Sequence, residues 1–187
     1  MNHHALEAKL VELVSATGWL MDALRAVNAC IESPWCIGAG TVRGLVWDHV
    51  YGYAAALPAD VDVAFFEAKA SASVDRELAE RLAQLQPRLR WDVVNQANAH
   101  LFSDRPDAAP FFSLEDAIGA WPETATAVGV WWEPDTGVRV LAPLGLADLF
   151  DGILRASPNL RDPGVFLDRC TAKRWIERYP KVRLVQP

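Results

Sequence analysis

Cysteine is scarce in this chain. Three occur in 187 residues, Cys30, Cys36 and Cys170, with no C-x-x-C pair and no Cys/His cluster. That spacing argues against a structural zinc site, and an odd, sparse count suits a reducing compartment. Basic charge is also short: 18 Lys and Arg against 24 Asp and Glu give a net charge of −6 and a pI of about 5.2. The sign is wrong for broad contact with nucleic acid, so a long nucleic acid is a disfavoured partner, although a small basic pocket for one phosphate-bearing ligand stays open. No run approaches the ~18 consecutive apolar residues of a membrane span. The opening "MNHHALEAKL" is charged too early for a signal peptide. The expected location is cytoplasmic, with no membrane partner. Neither G-x-S-x-G nor G-x-x-x-x-G-K-[ST] is present, which removes hydrolase and P-loop readings.

What is present is the balance of a folded globular protein, 51% hydrophobic and 22% charged. The length favours one domain over residues 1–187, with helices in residues 1–33 packed on it. Leu6, Leu10, Leu13 and Val14, then Leu20, Leu24, Val27 and Ile31, recur at helical spacing on either side of "TGWL". "PWCIG" reads as a strand entering a glycine turn, and "TVRGLVWDHVYGY" as a helix. A strand is expected at 60–66 and an amphipathic helix at 73–86, with Ser73 as N-cap and Pro87 after its end. "LRWDVVNQA" reads as a strand, and "SLEDAIGAW" as a short helix in which Ser113 and Asp116 have capping-box spacing. Alternating apolar residues around "EPDTG" predict a hairpin. "GLADLFDGIL" and residues 162–180 read as helices, with a last strand in "KVRLV". Strands and helices mixed in one domain, with an antiparallel hairpin, give class α+β.

The stretch "LPADVDVAFFEA" raises the functional question. A strand places Asp60 and Asp62 on one face, ~7 Å apart along the chain. Taken alone, the pair fits an edge strand with its carboxylates in water. If partly buried, the two would repel and one would take up a proton, unless a divalent cation relieved them. Mg²⁺ prefers oxygen ligands and is commonly held by one or two carboxylates together with substrate phosphates. Upstream, "WCIGAGTVRG" runs from a strand end through Gly38, Ala39 and Gly40 into a helix. Small residues there let a backbone approach phosphate at a helix N-terminus, with Arg43 within reach; a plain tight turn with a solvated Arg43 explains the same residues equally well. Downstream, Asp92 lies in an apolar strand that could run beside the D-x-D strand. It would complete a cluster of three carboxylates suited to metal-assisted phosphoryl transfer, or it is a surface carboxylate next to Arg90.

Glycine turn, D-h-D-h and a later h-D-h occur in the order Ile37–Gly38–Ala39, Asp60–Val61–Asp62–Val63 and Trp91–Asp92–Val93. In this the chain resembles the polymerase-beta-like nucleotidyltransferase superfamily. More closely, it is similar to a bacterial family of small nucleotidyltransferase-like proteins formerly classed as a domain of unknown function. The blocks "WCIGAGTVRGLVWD", "DVDVAFF", "WDVVNQANAH", "WPETATAVGV", "APLGLADLF" and "DRCTAKRWIERYPKVRL" carry that likeness over residues 35–185. The resemblance implies a nucleotidyltransferase-like mixed sheet flanked by helices, with an N-terminal helical pair. It also implies transfer of an NMP from an NTP to a hydroxyl or phosphate acceptor with Mg²⁺ or Mn²⁺. Asp60, Asp62 and Asp92 would be catalytic carboxylates and metal ligands, and Asp92 the base or orienter. Gly38, Ala39, Gly40 and Arg43 would lie against the triphosphate. Two features depart from the superfamily pattern: Ala39 replaces the second Gly or Ser, and the gap from the glycine turn to Asp60 is long.

Asn95 and Gln96 are candidate contacts to base or ribose, or residues that satisfy turn backbone. His100 is a ligand contact or a structural histidine. Glu123, Thr124 and Thr126 line the cleft or cap the chain. Arg169 and Lys173, four apart on one helix side, could neutralise phosphate across the cleft, though an exposed helix face with Asp168 and Glu177 nearby explains them too. Among the eight tryptophans, Trp47, Trp131 and Trp175 are assigned to the core, and Trp91 and Trp121 are candidates to flank a base. Two further readings remain open. One is a non-catalytic nucleotide-binding or regulatory module, toxin–antitoxin-like, that keeps the fold. The other is a dinucleotide turn in "GAGTVRG", where Arg43 stands in the place of the third small residue.

Overall fold

The computed structural model describes residues 2–54, 56–71, 73–102, 109–160 and 163–185. Two helices open the chain, α1 (His3–Ser15) and α2 (Gly18–Asn28). Asn2 starts α1 by accepting a hydrogen bond from the Ala5 amide at 2.9 Å. Leu6, Leu10 and Val14 form its buried stripe, four residues apart, and Leu20, Ala23, Leu24 and Val27 do the same on α2. At the break between them Thr17 takes an extended conformation, and its hydroxyl donates back to Leu13 O at 2.8 Å.

Then come β1 (Trp35–Gly38), α3 (Ala39–Tyr51), β2 (Val61–Phe65), α4 (Val74–Leu85) and β3 (Trp91–Asn95). A 3-10 segment (Gln96–Phe102), α5 (Leu114–Gly119) and the hairpin β4 (Gly129–Glu133) and β5 (Gly137–Leu141) follow. The five strands make one mixed sheet in the order β3-β2-β1-β4-β5. β2 and β3 are parallel and joined through α4, as a parallel pair requires; the other neighbours are antiparallel. With helices against it, the sheet has the expected α+β class, a mixed sheet flanked by helices.

Strand alternation divides the sheet's two faces. Trp35, Ile37, Val61, Val63, Phe65 and Val93 enter the main core, which they share with α1, α2 and α3. Cys36 and Ala64 face the other way, into a smaller cluster with Leu114 and Ile118 of α5. Asp62 and Asp92 take the same parity as Ala64, so they stand on the side away from the main core.

The chain after β5 departs from the periodicity. Only Ala147–Phe150 of "GLADLFDGIL" is helical, as α6. Gly152 turns the chain at φ +63, and Ile153–Arg155 becomes β6, parallel to β7 (Arg183–Val185). The last helical segment is two helices, α7 (Pro163–Lys173) and α8 (Trp175–Arg178), separated at Arg174 with φ +50; its first residue, Asp162, lies outside the described residues. Ser73 holds the N-cap position of α4 but is already helical in φ/ψ and makes no capping bond. Ser113 does cap α5, accepting from Asp116 N at 3.1 Å. The Asp116 carboxylate accepts from Phe112 N and not from Ser113 N as a full capping box would have it. Among the described residues no helix is long and apolar enough to cross a membrane.

Candidate active site

Asp62 and Asp92 are direct register partners on parallel β2 and β3. Aligned residues of such a pair point to the same face, so the two carboxylates stand side by side. Asp60, just before β2, lines the same cleft. The first turn of α3 holds Asp62 in place: its Oδ2 accepts from Thr41 N at 3.0 Å and from the Thr41 hydroxyl at 3.1 Å. The Asp62 amide donates in turn to Thr41 Oγ1 at 2.9 Å. A helix N-terminus suits an anion, and here one of its donors serves Asp62. Burial pushes the Asp62 carboxyl up; Thr41's hydrogen bonds pull it down, and the charges of Asp60 and Asp92 push it up again.

The cleft has two chambers that meet at Ala39, Asp62, Asp92 and Arg169. The larger, about 490 Å³, is lined by Arg43, Lys173 and Arg178, with Trp19, Trp175 and Tyr179. Residues 56–60 also line it, so the long gap after the glycine turn contributes a wall: α3 fills most of the gap and residues 56–60 edge the chamber. The smaller chamber, about 230 Å³, is walled by Val63, Ala64, Val94, Trp121 and Pro122, with Gln96 and Thr126 as polar groups.

Arg43 is held between two indoles, its guanidinium carbon 5.2 Å from the Trp47 ring centre and 4.6 Å from that of Trp175. Its Nε is fully buried without a hydrogen-bond partner, and burial lowers its pKa. Trp47, a core residue, donates its indole N–H to Leu149 O at 2.9 Å. Trp175 is buried too, yet it lines the cleft, because the break at Arg174 starts a new helix there. Trp121 flanks the smaller chamber, its Nε1 donating to Gln96 Oε1 at 3.2 Å. Trp91 packs on the main core and lines neither chamber.

Several candidates have other roles. Asn95 is not brought to the cleft. Alternation along β3 turns it to the core face, where Oδ1 accepts from Glu67 N at 3.0 Å and Ala97 N at 3.1 Å. Its Nδ2 donates to Glu67 O at 2.8 Å. Gln96, one residue on, does reach the smaller chamber. Gly38 lines neither chamber: a Cβ there would sit 2.7 Å from Val128 O and 3.0 Å from the Trp121 ring, so its missing side chain serves packing. Gly40 lines the larger chamber, and a Cβ on it would lie 3.1 Å from Asp62 Oδ2. Ala39 faces both chambers with φ +46. His100 bonds through Nδ1 to Ala97 O at 3.0 Å. Thr124 donates its hydroxyl to Asp148 at 2.7 Å.

Two ion pairs were not anticipated from the sequence, which offers Glu123 and Arg169 as separate candidates and not as partners. Glu123, fully buried, accepts from Arg169 Nε at 2.6 Å and from the Thr126 hydroxyl at 2.7 Å. Asp48, also buried, accepts from Arg178 Nη2 at 2.9 and 3.1 Å and from the Tyr179 hydroxyl at 2.7 Å. The partners are 46 and 130 residues apart. The signal available was an acid one or two positions after a tryptophan, in "VWDH" and "WPET".

Three hard carboxylate oxygen donors, with no thiolate among them, suit Mg²⁺ or Mn²⁺ in kind, and a cation would relieve Asp62, whose carboxyl is pushed up first by burial and then by the charges of Asp60 and Asp92. No group of three or more His, Cys, Asp or Glu among the described residues is already gathered closely enough to cage an ion.

A family profile described as Nucleotidyltransferase matches residues 27–184. The fold is also that of a solved NMR structure described as a CCA-adding enzyme head domain, at TM-score 0.82 and 23% identity over 96% of each chain. Comparison with curated proteins gives no match. The chain belongs to this nucleotidyltransferase family.

Proposed function

We propose that this nucleotidyltransferase moves an NMP from an NTP to a hydroxyl or phosphate acceptor in a metal-dependent reaction. The observation that carries the reading is the placement of Asp62 and Asp92, in register on parallel strands at the junction of two chambers. No described salt bridge neutralises either of them or Asp60. Asp60, Asp62 and Asp92 would hold the Mg²⁺ or Mn²⁺, which when bound supplies charge neutralisation at the phosphates. Gly40, Ala39, Arg43 and Lys173 approach the triphosphate, and Gln96 presents an amide to the neighbouring substrate. Asp92 accepts the proton of the attacking hydroxyl. Positioning and fixed charge supply the catalysis. The sparse cysteines fit a cytoplasmic setting.

A thermal-shift screen of the four NTPs, each with Mg²⁺ or Mn²⁺, tests the reading when repeated on Asp60→Asn and Asp62→Asn and paired with an assay for released pyrophosphate. The expected result is an NTP that stabilises the native chain and neither variant, with pyrophosphate released. The second reading, a non-catalytic nucleotide-binding module, draws on Ala39 in place of Gly or Ser; nucleotide binding without pyrophosphate would select it. Equal stabilisation of native chain and both variants sinks the carboxylate site.

A further inference from the structure

The two chambers differ in chemistry as well as size. The larger is lined by the cations Arg43, Lys173, Arg169 and Arg178, the last paired with Asp48, beside the carboxylates Asp60, Asp62 and Asp92. Arg43 is fixed there by Trp47 and Trp175, with a buried Nε that has no hydrogen-bond partner; the charges of Glu123 and Asp62 favour its cationic form, and no described salt bridge takes it up. The smaller is mostly apolar and shares with the larger only Arg169 among the cations. Ligand pockets for whole small molecules run to about 300–1,000 Å³. The larger chamber, about 490 Å³, falls inside that range and the smaller, about 230 Å³, below it.

We infer that the chambers divide the substrates: the nucleotide with its polyphosphate occupies the larger, and the smaller admits only the hydroxyl-bearing end of a small, uncharged acceptor. This rests on the transfer reading above and adds a direction to it. In an in-line displacement the acceptor oxygen and the departing pyrophosphate lie on opposite sides of the α-phosphorus. The acceptor oxygen forms its bond to that phosphorus as the bond to the bridging β-phosphate oxygen breaks. Pyrophosphate leaves with the electron pair, and the hydroxyl proton passes to Asp92. Asp62 and Asp92 stand where the chambers meet. A pyrophosphate leaving among Arg43, Lys173 and Arg178 therefore leaves the side bounded by Trp121 and Gln96 for the incoming oxygen. The apolar wall there suits a neutral acceptor.

Calorimetric titration with inorganic tripolyphosphate and with ATP tests the division by binding alone. Lys173→Ala, an exposed change that leaves the fold intact, is expected to weaken both ligands about threefold; Arg43→Met weakens both by about tenfold or more. Gln96→Glu keeps the acceptor atom for Trp121 and adds an anion to the smaller chamber; it is expected to leave both affinities within about twofold, as is Trp121→Ala. No tripolyphosphate binding to the native chain overturns the inference. So does a Gln96→Glu effect on tripolyphosphate as large as that of Lys173→Ala, which would put phosphate in the smaller chamber. A loss of ATP but not tripolyphosphate affinity in Trp121→Ala, beyond about fivefold, would put the base there. Should the binding follow this pattern while no NTP ever releases pyrophosphate, the transfer reading fails and takes the acceptor's place in the smaller chamber with it, while the assignment of polyphosphate to the larger chamber stands.

Discussion

Two kinds of carboxylate surround the cleft. Glu123 and Asp48 are buried and each is neutralised, by Arg169 and by Arg178 with the Tyr179 hydroxyl. Asp60, Asp62 and Asp92 have no such cation among the described ion pairs, and Asp62 is tied only to the amide and hydroxyl of Thr41. A buried charge with its partner in place supports the fold. Asp60 and Asp92 are exposed and Asp62 is half-buried, its carboxyl pushed up by burial and by the charges of the other two; carboxylates gathered in a cleft without a salt bridge mark functional sites. The paired carboxylates also serve the unpaired ones: they hold Arg169 and Arg178, both cleft residues, against the walls.

The contrast is broken most sharply by exchanging effects between the two kinds. Asp62→Asn is expected to lower pyrophosphate release by about 10²–10³-fold while the melting temperature holds or rises, since a repelled charge is removed. Rates from single-turnover assays and melting curves on the same sample check both halves. A variant that loses activity by unfolding would place Asp62 with the structural carboxylates. Glu123→Ala should do the reverse. It strands Arg169 and the Thr126 hydroxyl beside a buried void, a change worth about 3 kcal/mol. Thermal unfolding should drop by roughly 6–12 °C, with nucleotide affinity falling less than in a direct phosphate contact. An unchanged melting curve would mean the Glu123 pair is not structural. Asp48→Asn is milder, because Arg178 is largely solvated and the amide oxygen still accepts from Tyr179. About 1–2 kcal/mol is expected from chemical denaturation.

The unpaired carboxylates were legible in the sequence; the paired ones were not. Asp62 and Asp92 sit in short apolar runs whose alternation fixes their face, and a helix between the runs makes them neighbours. Local pattern is enough for that. The same alternation assigns Asn95 to the core and Gln96 to the cleft, a distinction that the run "NQ" alone blurs where the strand gives way to a 3-10 turn. Glu123–Arg169 and Asp48–Arg178 depend on where distant elements dock, which no periodicity states. Ile153–Arg155 was hidden for a related reason: its apolar residues extend the helical spacing of α6, and only pairing with β7 at the chain's end makes a strand of it. Gly38 shows a residue whose type was readable and whose purpose was not, since the Trp121 ring that excludes a Cβ comes from 83 positions later.

Ala39 tests the comparison where it is finest. It opens α3 directly after β1, its amide donating to Val128 O at 3.2 Å, with φ +46. A side chain in the left-handed region costs roughly 1–2 kcal/mol, and replacing it with glycine costs about 0.5–1 kcal/mol in chain entropy. Ala39→Gly is therefore expected to stabilise by about 0.5–1 kcal/mol, raising the melting temperature by roughly 1–4 °C. The methyl it removes also faces both chambers, at the junction shared with Asp62 and Asp92. If that methyl only tolerates the site, stability rises and nucleotide affinity stays the same. If it shapes the junction, affinity shifts while stability still rises, and the strain at residue 39 belongs with the unneutralised carboxylates as something the fold retains for the cleft.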